Sequence, residues 1–115
     1  MKNIISISLI LTALILTGCA TGEATRTSTT QYAATSPESV QILLEKPSRK
    51  YEVIGYVSGK GAHLASQDAV FNSMKEEAAK IGADAIYIQD VHEEAITAQG
   101  HMGKFGKALA IKWVK

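Results

Sequence analysis

Apolar and polar positions divide the chain into three stretches of different character. Ile4 to Leu16 is apolar except for Ser6, Ser8 and Thr12, whereas residues 20 to 37 are small and polar, with one aromatic, Tyr32, and no periodicity. Regular patterns begin only after Pro37. Val40, Ile42 and Leu44 alternate with Gln41 and Glu45, the period-two signature of a half-buried strand, until Pro47 and Ser48 break it. Tyr51 to Ser58 is rich in β-branched and aromatic residues and predicts a second strand, stopping at Gly59-Lys60-Gly61. The short connection between the two predicts an adjacent antiparallel pair.

The next period is helical. Val70, Met74, Ala78 and Ile81 form one apolar stripe, widened by Phe71, while Lys75, Glu76 and Lys80 take the solvent side. Ser66 is the expected N-cap, Asp68 suits the positive first turn, and Gly82 is the expected left-handed stop. Ala83 to Gln89 reads as a strand whose small first residues let the helix end pack closely. A polar stretch then leads to Gly100 and a Gly-Lys loop to Gly106. In the last strand, Lys107 to Lys115, Leu109, Ile111 and Trp113 alternate with Ala108, Ala110 and Lys112. The fold class expected is α+β in the order ββαββ, one helix packed on a small antiparallel-rich sheet.

The first stretch reads as an address. A short positive start, Met1-Lys2-Asn3, followed by an apolar run too short for the ~20 residues of a membrane-spanning helix, is the layout of a secretory signal. It ends in Leu16-Thr17-Gly18-Cys19, which resembles the lipobox of bacterial lipoproteins. The resemblance implies a diacylglyceryl thioether on Cys19, cleavage after Gly18 and a further acyl chain on the new amino terminus. Two or three chains give lasting attachment where one gives marginal binding. Ala20 stands where an aspartate would signal inner-membrane retention, which implies an outer-membrane anchor with the domain in the periplasm. The organisation expected is a signal peptide over 1–18, lipidated Cys19 and a flexible tether over 19–37, and one α+β domain over 38–115. Small polar tether residues bury too little surface to offset their ordering entropy; the alternative is an extended edge strand around Gln31 to Ala34.

Charge narrows the partners. Lys2 is the only charged residue before Cys19, so the mature chain carries eleven basic and eleven acidic residues, with no excess to draw nucleic acid or an anionic leaflet. Cys19 is the single cysteine, which excludes an internal disulfide and any zinc site built on cysteine pairs.

Tyr-Glu-Val-Ile-Gly-Tyr-Val-Ser-Gly (51–59) followed by Lys-Glu-Glu-Ala-Ala-Lys-Ile-Gly-Ala-Asp-Ala-Ile (75–86) resembles the small α+β domains of the YbjQ-like superfamily, a group that includes the periplasmic domain of the Rcs envelope-stress lipoproteins. The match spans roughly residues 51–90 and is a packing motif, so it implies a fold and no activity. The disulfides of the Rcs domains have no counterpart here. The heavy-metal binding attributed to some YbjQ-like domains transfers no ligand set.

Candidate chemistry is sparse. His63, His92 (beside Glu93 and Glu94) and His101 are metal-ligand types without local ligand spacing. Gly59-Lys60-Gly61 between a strand and a helix has free amides and a lysine for a phosphate, but no Walker pattern. No serine sits in a nucleophile elbow, and Asp84 and Asp90 are the remaining carboxylate candidates. Lys60, Lys104, Lys107 and Lys112 form one basic patch if both Gly-Lys loops share an end of the sheet. The expectation is therefore a non-enzymatic module without a cofactor, held at the membrane through Cys19 and binding an envelope protein by its sheet edge or Gly-Lys loops. The alternative is a metal or small-ligand module using the loop histidines.

Overall fold

The computed structural model describes residues 19–115, so the expected signal peptide over 1–18 lies outside the described residues. One helix packs on a five-stranded mixed sheet. The strands are β1 (Ala20–Arg26), β2 (Gln41–Leu43), β3 (Tyr51–Gly61), β4 (Ala85–Ala95) and β5 (Met102–Trp113), and the helix, α1, is Gln67–Lys80. Their order across the sheet is β1-β3-β5-β4-β2, antiparallel except where β2 runs parallel to β4. The α+β class stands; the expected ββαββ arrangement does not, since a strand is added ahead of it and β2 pairs in parallel.

That added strand corrects the flexible tether. Residues 20–26 pair with β3 from Ala20↔Gly61 to Arg26↔Gly55. Ala20, Gly22 and Ala24 point toward the helix, and a Cβ on Gly22 would lie 2.7 Å from the Ser73 carbonyl oxygen. Alternating small residues thus let α1 sit almost on the backbone of β1, a packing that hydrophobicity alone does not signal. The segment after β1 is also engaged, though it forms no strand at 31–34. Thr35 N–H donates to the Ala79 carbonyl (2.8 Å) and its hydroxyl to that of Ala83 (2.7 Å), while Tyr32 packs on the core and donates to Glu52 (2.9 Å).

The expected β2–β3 hairpin is likewise replaced. β2 sits at the far edge beside β4, so residues 44–50 carry the chain past β4 and β5 to the start of β3. Val40 is buried, but Ile42 and Leu44 are exposed, because β2 lasts only three residues at an edge that no described element covers on their side. Arg49, in the connection, lies 4.8 Å over the Trp113 ring.

The helix follows its sequence signals closely. Ser66 Oγ accepts the Ala69 N–H (3.1 Å), and Asp68 and Lys80 occupy the ends that suit their charges. Gly82 takes φ +88°, with Gly82 N–H donating to Ala79 and Ala83 N–H to Ala78, a Schellman stop. Val70, Met74, Ala78 and Ile81 are buried as the stripe predicts, against Ile54, Val57, Ile86, Ala108 and Ala110 of the sheet.

Three boundaries move, those of β3 and β5 for one reason. β3 runs on through Gly61, β4 through Ala95, and β5 begins at Met102, so the two expected Gly-Lys loops are strand. Gly59, Gly61 and Gly106 lie directly beneath Met74, Val70 and Ala65, where a Cβ would come within 2.9 Å of a side chain. Glycine here serves close approach between layers rather than chain reversal.

Candidate functional site

With α1 covering one face of the sheet, the other stays open among the described residues, and register decides what it displays. On β3 and β5, Val57, Gly59, Gly106 and Ala108 face the helix, so Tyr56, Ser58, Lys60, Phe105, Lys107 and Leu109 face away. β1 adds Thr21, Glu23 and Thr25. A bulge at Gln89 sets Asp90 opposite Lys107, His92 opposite Phe105 and Glu94 opposite Gly103. The open face thus carries two cross-strand rows, Glu23–Ser58–Lys107–Asp90 and Thr21–Lys60–Phe105–His92. A concavity of about 260 Å³ lies over the second row, and one of about 450 Å³ lies beside Tyr56 and Leu109.

His92 is the most structured side chain of this face. Its Nδ1 lies 2.7 Å from Asp90 Oδ2 and its Nε2 2.7 Å from Glu94 Oε1, and its ring stacks on Phe105 at 5.3 Å. Two acceptors want two donors, which only the imidazolium supplies. Hydrogen bonding to Glu94, then to Asp90, therefore holds His92 protonated above the usual histidine range, against a smaller opposing effect of desolvation. The group is exposed, so the bridge is solvent-screened. With both nitrogens engaged and carboxylates on either side, His92 acts as a cation fixed in an acidic frame.

The other candidates separate. His63 and His101 stack on each other with centroids 4.8 Å apart, and no group of three or more His, Cys, Asp or Glu side chains arranged to hold a metal ion occurs among the described residues. Lys60 and Lys107 share the open face, and neither has a salt-bridge partner among the described residues. Lys104 and Lys112 fall on the helix side by strand alternation, the first near Glu93 (3.9 Å), the second donating to the Gly82 carbonyl (2.8 Å). The expected four-lysine patch is therefore a pair. The amides of Gly59 to Gly61 belong to a strand paired on both sides, which removes the phosphate-loop reading. Asp84 is structural: Oδ2 accepts the Trp113 N–H (2.9 Å) and Oδ1 lies 3.5 Å from Lys112 Nζ. Cys19 is exposed and immediately precedes β1, its carbonyl accepting the Ala62 N–H at 3.1 Å. Among the described residues no helix is long and apolar enough to cross a membrane.

The sequence sets His92 beside Glu93 and Glu94 but does not by itself join Asp90, His92 and Glu94. Their i, i+2, i+4 spacing was the available signal, provided the strand was known to continue.

No protein-family model matches this chain, and no curated protein matches its sequence. Among solved structures, the chain is similar to the crystal structure of a Francisella virulence factor, FvfA, with a TM-score of 0.56 and 18% identity, over 78% of this chain and 97% of that one. At that identity the likeness speaks for a shared fold alone.

Proposed function

We propose that the chain is a small lipoprotein of the bacterial cell envelope, anchored by acyl chains on Cys19 and acting without catalysis by binding another envelope protein on the open face of its sheet. The lipobox supports the anchor, and an exposed Cys19 immediately before β1 leaves the sulfur free for modification. Ala20 after the cysteine favours the outer membrane, with the domain in the periplasm. The strand–helix–strand run through Gly82-Ala83-Asp84-Ala85 supports grouping with YbjQ-like domains.

The observation that carries the binding reading is the one-sided cover of the sheet. A five-stranded sheet with a single helix leaves a face on which Phe105 and Tyr56 stand beside unpaired Lys60 and Lys107 and the bridged His92. Charges of both signs around an aromatic centre suit a protein surface better than a phosphate or a polyanion. β1, seven residues long, is also the longer free edge and borders the same face, so a partner strand added there would extend it.

The test is charge reversal on the face, Lys60→Glu with Lys107→Glu, assayed by co-purification of the full-length protein from solubilised envelopes. Loss of a partner retained by Lys75→Glu, on the helix, supports the reading; retention of the same partner refutes it.

A second reading, metal or small-ligand binding through the loop histidines, has one observation in its favour, the contact between His63 and His101. Titration with zinc, copper and nickel decides it, since a ligand specific to the folded state raises the melting temperature and no rise at large excess removes the reading.

A further inference from the structure

The lipid-anchor reading takes on a definite geometry once Cys19 is placed in the fold. β1 begins at the next residue and is paired along its length with β3, so no free chain separates the anchor from the domain. The Cys19 carbonyl is bonded to Ala62, one strand spacing away, about 4.8 Å. Acyl chains on Cys19 would enter a bilayer immediately beside the loops at this end of the sheet.

Those loops expose apolar side chains among polar ones, His63, Thr97, Gln99 and His101. Leu64, in the β3–α1 connection, is 85% exposed, and Ile96 and Met102, flanking the β4–β5 turn, are 45% and 38% exposed. The loops are joined to one another: the His63 ring stacks on that of His101 and its Nδ1 lies 3.4 Å from the Met102 carbonyl, while Ile96 N–H donates to the His101 carbonyl. They thus form one connected rim at the end of the sheet where Cys19 lies. An extended leucine in water gains by burial, and no element of the described chain covers it.

Resting on the lipid-anchor reading, we infer that this rim is a membrane-contact surface, with Leu64, Ile96 and Met102 entering the interfacial layer beside the acyl chains of Cys19. The contact is apolar rather than electrostatic, because the mature chain has no basic excess. It fixes orientation as well as position. β1 and β3 leave the membrane together, the Tyr51–Trp113 end points away, and the open face stands upright where a neighbour in the same envelope layer can reach it.

The test uses the full-length protein purified from membranes and reconstituted into vesicles of phosphatidylethanolamine and phosphatidylglycerol. Acylation blocks the Cys19 sulfur, so Leu64→Cys, Ile96→Cys and, at the far end, Lys50→Cys each offer one thiol for an environment-sensitive fluorophore. The expected result is a blue shift at 64 and 96, with most emission lost to spin-labelled lipid, and neither change at 50. Introducing Leu64→Asp should restore part of the emission lost at 96. Labels at 64 and 96 quenched no more than the label at 50, on protein whose intact mass shows acylated Cys19, overturn this inference alone. An intact mass without acyl chains overturns the anchor reading and this inference with it.

Discussion

Gly22→Ala separates a structural β1 from a tether by a change of one methyl group. Gly22 has no positive φ, so alanine fits its backbone, and any effect comes from space. The new Cβ would lie 2.7 Å from the Ser73 carbonyl oxygen, 3.0 Å from its carbon and 3.1 Å from Glu77 Cγ. The first contact is about 0.7 Å short of ordinary separation. Neither side yields readily, because Ser73 lies mid-helix and Gly22 is paired with Gly59. Overpacking of this kind costs about 1–3 kcal/mol. In a domain of this size each kcal/mol lowers the melting temperature by about 4–8 °C. The assay is thermal unfolding of the mature chain carrying Cys19→Ala, with Glu23→Ala, the exposed neighbour on the same strand, as the control expected to stay within about 0.5 kcal/mol. A melting temperature for Gly22→Ala equal to that of the control would refute the packing of β1 under α1.

Met74→Ala removes a fully buried side chain that fills the space above Gly59 and Gly106 and should cost about 2–5 kcal/mol in chemical denaturation; a loss under about 1 kcal/mol would contradict that packing. Asp84→Ala leaves the Trp113 N–H without its acceptor and should cost about 1–3 kcal/mol, with Asp84→Asn recovering part of it because an acceptor remains; equal losses in the two variants would argue against the bond. His92 has a raised folded pKa, so its bridge contributes fully below the unfolded histidine value of about 6.5 and loses its contribution as pH rises through the folded value. Glu94→Gln should therefore move the His92 titration midpoint, followed by the imidazole proton resonances, to lower pH, and an unmoved midpoint would show that Glu94 does not hold the proton.

What the sequence made legible was whatever depends on neighbours in the chain. Ser66, the Val70–Met74–Ala78–Ile81 stripe and the Gly82 stop are local signals, and each does in the fold what its position predicts. Partners distant in sequence were not legible. β2 shows strand alternation, yet nothing in it says that Leu43 will pair with Tyr87 rather than with a residue of β3. β1 was hidden because Ala20, Gly22 and Ala24 are small for the sake of the helix above them, and small residues read as linker when the helix is not yet placed. The same confusion moved the ends of β3 and β5, where Gly59, Gly61 and Gly106 suggest loops until Met74 and Val70 are seen to occupy the space over them. On the candidate face, the Asp90–His92–Glu94 bridge depends on a strand carried through polar residues, which hydrophobic periodicity does not follow. The split of the four lysines follows from strand parity along β5 and from the register that sets Lys60 of β3 opposite Phe105, available only once Gly103 to Gly106 is known to be strand.

Site-specific photo-crosslinking in living cells tests the central claim most directly, with the photoreactive residue at Tyr56 on the open face or at Asn72 on the helix, in chains carrying either Cys19 or Cys19→Ala. The account predicts one discrete adduct from position 56 that is absent from position 72 and lost with Cys19→Ala, together with acyl mass on the wild-type cysteine. The same adducts from both positions, or from both forms of the anchor residue, would contradict it.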